Sequence, residues 1–244
     1  MLNAFLIALR EGFEAALIVG ILVAYLVKTD RRSRLAPLWI GVTVAIISSV
    51  AFGAFLTTID DELSERGEVI FAGATSLLAA LLVTTMIFWM KATARNLKKE
   101  LQGKLDSAIM AGPFAIAVTA FLSVAREGLE TALFLYSSFK SSSEAPSAVI
   151  GLVLGLALSV VLGIAIYAGA IRLNLSKFFT ITGVALIFIV THILMYGVHE
   201  VAELGLLPES KALEYGVGAA YFVTTMYLYL RQPKQVAEKE LARA

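Results

Sequence analysis

The chain has 244 residues, 59% of them hydrophobic and 16% charged, with a net charge of +1 and a mean hydropathy of +0.82. Soluble domains carry about 25% charged residues, so the long apolar blocks here exclude a soluble enzyme, a disordered chain, a nucleic-acid binder and a coiled coil as readings of the whole chain. Cysteine is absent, which excludes disulfides, thiolate metal sites, iron–sulfur ligation and a cysteine nucleophile.

A helix that crosses the hydrocarbon core needs about 20 mainly apolar residues. Seven blocks qualify: residues 4–27, 37–58, 69–90, 109–136, 147–170, 178–198 and 213–230. The first resembles a signal peptide only in its apolarity. It lacks a basic leader, Arg10, Glu11 and Glu14 interrupt it, and no small-residue cleavage site precedes Lys28, so it is expected to be retained as a membrane helix. Barrel strands are excluded, because the runs are too long and do not alternate.

The basic residues orient the chain. With the N-terminus outside, inner segments carry fifteen Lys and Arg, outer ones only Arg66, Lys140 and Lys211, and Arg10 and Arg126 lie in the membrane. The positive-inside rule therefore predicts N-out and C-in. The fold class expected is all-α: a polytopic membrane protein with seven transmembrane helices in one domain over residues 1–230, then a short cytoplasmic tail at 231–244. Ten acids fall on the outer side. They form either a vestibule that gathers cations or an ordinary solvated surface.

An internal repeat cuts across this order. Arg10-Glu11-Gly12-Phe13-Glu14-Ala15-Ala16-Leu17 matches Arg126-Glu127-Gly128-Leu129-Glu130-Thr131-Ala132-Leu133 at six of eight positions, offset by 116. Gly41, Ala45, Ser49 and Gly53 in the second block reappear as Gly151, Gly155, Ser159 and Gly163 in the fifth, offset by 110, and Gly73 meets Gly183 at that same offset. Two three-helix units follow, repeat 1 over about residues 1–91 and repeat 2 over about 109–200, with the seventh helix left over. Three is odd, so the copies have inverted topology, as in many transporters. Small residues four apart read as close helix contacts.

Glu11, Glu14, Glu127 and Glu130 carry the chemistry. A charge at the centre of a membrane helix costs at least about 2.5–3.5 kcal/mol, so six charged residues there need a use. Residues i and i+3 share a face, and the two motifs fall at similar depth on antiparallel helices. Four carboxylates then converge, with Arg10 and Arg126 as charge balance rather than ligands. Oxygen donors suit hard multivalent cations. A buried structural Arg–Glu network and a proton relay are the competing readings of the same residues.

Two copies of Arg-Glu-Gly-x-Glu in a seven-helix chain resemble the oxidase-dependent high-affinity iron permeases. Phe88-Trp89-Met90-Lys91 and Gly169-Ala170-Ile171-Arg172-Leu173-Asn174-Leu175 resemble the bacterial branch. The resemblance implies iron uptake across a bacterial cytoplasmic membrane, with Glu11, Glu14, Glu127 and Glu130 as iron ligands. It implies ferric iron, or ferrous iron oxidised at the outer face, as substrate, no permanently bound cofactor, and a separate ferroxidase or peroxidase partner in many members. A homo-oligomer and other metals, lead included, stay open.

Weaker candidates lie at the outer ends of helices. His199, Glu200 and Glu203 end the sixth block, and Glu65 and Glu68 precede the third. Both sets read as a cation-capture site or as solvated surface. His192 is expected in the core. Tyr136 and Trp89 fit an interfacial belt or core packing. The chain has no phosphate-binding loop motif and no nucleophile–base motif, so it is not expected to be an enzyme. The rival functions are a proton- or cation-coupled carrier for another substrate and, behind it, a metal-dependent membrane enzyme.

Overall fold

A computed structural model describes residues 1–93, 97–140, 145–170, 174–208 and 210–231. The expected tail at 232–244 and residues 171–173 of the Gly169–Leu175 segment lie outside the described residues. Among those described, the secondary structure is helical without strands: α1 (Leu2–Lys28), α2 (Leu35–Glu62, after a short 3-10 turn), α3 (Glu65–Thr93), α4 (Leu97–Ala111), α5 (Pro113–Lys140), α6 (Ala145–Tyr167), α7 (Leu175–Glu203) and α8 (Lys211–Arg231).

Six of the apolar blocks each sit on one helix, the fifth running three residues past the end of α6, while the fourth is divided between α4 and α5. By length and apolar composition alone, α2, α3, α6 and α7 suffice to cross a membrane. Helices α1 and α5 carry the motif charges. Hydrocarbon supplies no hydrogen bonds, so a spanning helix must satisfy its backbone internally and turn apolar side chains outward. Ile47 and Val50 on α2, and Val160 and Ile164 on α6, are accordingly exposed, while Arg10, Glu11 and Glu14 are buried. This is a membrane protein's distribution.

The apolar pattern predicts a fourth span over residues 109–136. In the structure, Ile109 belongs to a separate helix that ends at Ala111, and Gly112 (φ +112°) breaks the chain before Pro113 opens α5. Glycine tolerates that backbone conformation, and proline fits a first helical turn. Helix α4 is amphipathic. Leu101, Leu105 and Ala108 are buried, while Glu100 and Lys104 are exposed. Its apolar side joins the cluster of Ile18, Leu22, Leu26 and Leu38, and Tyr25 donates a hydrogen bond to Asp106 at 2.6 Å.

The main packing partners are α1 with α6, α2 with α5, α3 with α7, and α1 with α5. The glycine contacts show how regular this is. Gly12 abuts Ser159 and Gly128 abuts Ser49; Gly53 abuts Ala132 and Gly163 abuts Ala16; Gly41 abuts Ala117 and Gly151 abuts Met1; Gly73 abuts Gly197 and Gly183 abuts Ile87. Shifting one contact by 116 along α1 and α5, and by 110 along the other helices, produces the other member of each pair. The small-residue ladders are thus the α2–α5 and α1–α6 contacts, where packing rather than hydrophobicity holds helices together.

Candidate metal centre

The α1–α5 contact brings the two motif copies together. Glu11, Glu14 and Glu127 each present an oxygen, and these three atoms lie within 4.8 Å of one another. All three residues are buried, at 0%, 2% and 4% exposure. Glu130 stands beside them, its side chain 15% exposed. Gly12 and Gly128, one residue after Glu11 and Glu127, leave room only for Ser159 and Ser49 of the neighbouring helices. A side chain at either position would push α1 from α6 or α5 from α2.

The arginines balance charge without saturating the acids. Arg10 Nη1 lies 3.5 Å from Glu11 Oε1, and Nη2 lies 3.4 Å from Glu14 Oε1. Both distances exceed the 2.7–2.9 Å typical of charge-assisted hydrogen bonds. Arg126 Nε donates to Glu130 Oε1 at 3.0 Å and stands 4.0 Å from Glu127 Oε1. Within the cluster, four buried carboxylate oxygens remain with no hydrogen-bond partner: Glu11 Oε2, Glu14 Oε1, Glu127 Oε2 and Glu130 Oε2. Buried polar atoms are rarely left so. Carboxylate oxygens are the donor type that hard cations take, so these residues could hold such an ion.

Two spaces reach this cluster. A cavity of about 560 Å³ runs from Glu14 and Glu127 to Glu100 and Lys104 of α4, with Trp89 and Arg126 on its wall. A larger groove of about 960 Å³, largely apolar, lies between the α1–α6 and α2–α5 pairs and touches Glu11 and Glu127.

The weaker candidates divide. Glu68 accepts from Lys140 at 2.7 Å, and Lys140 also pairs with buried Asp60 at 2.5 Å. Tyr136 donates to Asp60 at 2.8 Å. Glu65, three residues before Glu68, is exposed at the start of α3 and outside this network. Glu200 is buried against Gly73 and hydrogen-bonded by Tyr196. Exposed His199 instead meets Glu214 at 2.9 Å and Glu203 at 3.6 Å. The expected His199–Glu200–Glu203 group is therefore two groups, because neighbours 199 and 200 point about 100° apart on a helix. His192, expected in the core, lies on an exposed face of α7.

The sequence pattern does not predict the contacts of Tyr136 and Lys140 with Asp60, or that of Trp89 with Arg126. The i, i+4 spacing of Tyr136 and Lys140 on one helix face, facing the acids at 60 and 68, was the available signal for the first two. For Trp89 no signal existed, because its contact with Arg126 joins residues far apart in sequence.

No solved structure matches the chain. The iron permease FTR1 family model matches residues 1–230. The chain is 35% identical over 209 residues to the ferrous iron permease EfeU of Yersinia pestis, covering 84% of this chain and 74% of that one. It is 34% identical over 230 residues to the protein of the same name from Escherichia coli O6:H1, covering 93% and 83%. A match over nearly the whole chain, with both Arg-Glu-Gly-x-Glu motifs in one buried cluster, places this membrane protein in the iron permease FTR1 family.

Proposed function

We propose that the chain carries iron across the cytoplasmic membrane through Glu11, Glu14, Glu127 and Glu130. The single observation behind this reading is the set of four buried carboxylate oxygens, from both motif copies, that have no hydrogen-bond partner. Four glutamates and two arginines sum to −2 when all are ionised, so a divalent ion neutralises the site and a trivalent one leaves +1. Charge balance therefore favours the ferrous ion that the relatives' names specify. In the ferric alternative, an external oxidase partner converts the ion before it binds.

In this reading α1, α2, α3, α5, α6, α7 and α8 cross the membrane, N-out and C-in, as two repeats of opposite orientation plus α8. The exchange of contacts between the halves supports that arrangement. Helix α4 then lies on the cytoplasmic side, and its cavity is the inner approach to the cluster. The network of Lys140, Asp60, Glu68 and Tyr136 lies at the outer end. Rocking of one repeat against the other moves access between the two ends.

Uptake of radiolabelled iron into proteoliposomes tests this. Ferrous iron is supplied under reductant in one arm, and ferric iron in another, with and without an oxidase. A membrane-impermeant chelator removes surface metal. Glu14→Ala and Glu130→Ala should each abolish uptake while thermal melting in detergent stays cooperative. Undiminished uptake by both variants would reduce these two residues to structure.

A further inference from the structure

The two motif arginines occupy equivalent positions and different surroundings. Arg10 is sealed at 1% exposure. The Arg126 side chain is 44% exposed and lines the α4-side cavity beside Glu14 and Glu127. Its guanidinium lies over the Trp89 ring, 4.7 Å from the centroid. The group is thus held from two directions, by Glu130 through Nε and by an aromatic face at the cavity wall.

We propose that Trp89 is a positioning residue for transport: its ring keeps the Arg126 guanidinium at the cavity wall while the cluster holds a cation, and returns it to Glu127 and Glu130 as the cation leaves. The inference rests on the four-glutamate reading. A cation in the cluster draws Glu127 and Glu130 toward itself through their free Oε2 atoms. Arg126 then loses its carboxylate partners, and a positive group set loose beside a second positive charge would drift into the cavity. The π face attracts a guanidinium without competing for the metal. Nothing comparable is needed at Arg10, which is buried and lines neither of the two spaces that reach the cluster. The departing ion uses the space that Arg126 borders, so Arg126 is placed to neutralise the emptied acids and discourage back-binding.

The test uses three full-length proteins, the wild type, Trp89→Leu and Trp89→Phe, each assayed for ferrous-iron affinity in detergent and for uptake in proteoliposomes. Trp89→Leu should lower turnover roughly tenfold, near the upper range of a cation–π contact, while affinity and KM stay within about twofold. Trp89→Phe, which keeps a π face, should recover most of the rate. Wild-type turnover in Trp89→Leu overturns the proposal. So does a Phe variant as slow as the Leu variant, which would assign the effect to indole shape. Affinity and turnover falling together would also overturn it, by making Trp89 part of the site's packing. Absence of iron affinity in all three proteins, wild type included, refutes the four-glutamate reading and is recognisable as that separate failure.

Discussion

Two stretches that agree at six of eight positions, Arg10–Leu17 on α1 and Arg126–Leu133 on α5, meet different fates. Around the first, Phe13 is fully buried, its ring 4.4 Å from that of Phe178 and 6.2 Å from that of Phe179. The equivalent of Phe13 is Leu129, which is 38% exposed. The equivalents of Phe178 and Phe179 are Glu68 and Val69 at the offset of 110. An aromatic plug in one half therefore corresponds to a polar, ion-paired end in the other. The repeat sets where the carboxylates meet, and the residues that break the repeat decide which side of the cluster is sealed.

The sharpest way to break this comparison is to remove each arginine in turn. Arg10→Ala leaves buried Glu11 and Glu14 without their nearest cation, and stranding buried charge costs about 3–5 kcal/mol. Arg126→Ala also strips a cation from buried Glu127, but Arg126 is half-exposed and solvent reaches its side of the cluster, so its loss should be the smaller of the two. Thermal melting of both variants in one detergent checks the difference. Equal losses would mean that burial at the two motifs is not what distinguishes them.

Much of this was legible in the sequence. The helices, the convergence of two motifs and the small-residue contacts all follow from local pattern: apolar length, i, i+3 spacing, and Gly or Ser every fourth residue. What escaped depends on tertiary placement. Helix α4 carries Leu101, Leu105 and Ala108 at helical spacing, but its charged face kept it below any membrane-span signal. Nor could spacing show that Glu130 is outside the three converged oxygens and paired with Arg126 instead. The split of His199 from Glu200 was available from helical geometry, while the burial of Glu200 beside Gly73 required the α3–α7 contact.

A second pair of variants sharpens the comparison at the helix contacts. Gly41 abuts the backbone carbonyl of Ala117, and its equivalent Gly151 abuts that of Met1. Backbone within a packed helix yields little, so Gly41→Ala should destabilise by about 1–3 kcal/mol, the usual cost of overpacking. Gly151→Ala presses on the first turn of α1, where the Met1 carbonyl already accepts from Phe5 N–H and the Met1 ammonium reaches Ser147, so its melting temperature should fall by a comparable amount. A loss confined to one of the two variants would mean that the equivalent contacts do not carry equal weight.

The smallest expected effect tests the polar end, where the halves share least. Lys140 bridges Asp60 and Glu68, whereas the residue equivalent to Lys140 is Ala24. Glu68 is half-exposed, so its share of the pairing should be worth about 0–1 kcal/mol. Asp60 is buried and also held by Tyr136, so a Lys140→Met variant loses chiefly the Asp60 interaction. A double-mutant cycle of Lys140→Met with Glu68→Gln, read by melting temperature, should show a coupling below about 1 kcal/mol. The same cycle with Asp60→Asn should show a larger one. A ranking in the reverse order would place the structural weight of this end on the exposed α3 acid and leave the buried aspartate, the only one of the two carboxylates that Tyr136 also anchors, without a stabilising part in the bridge.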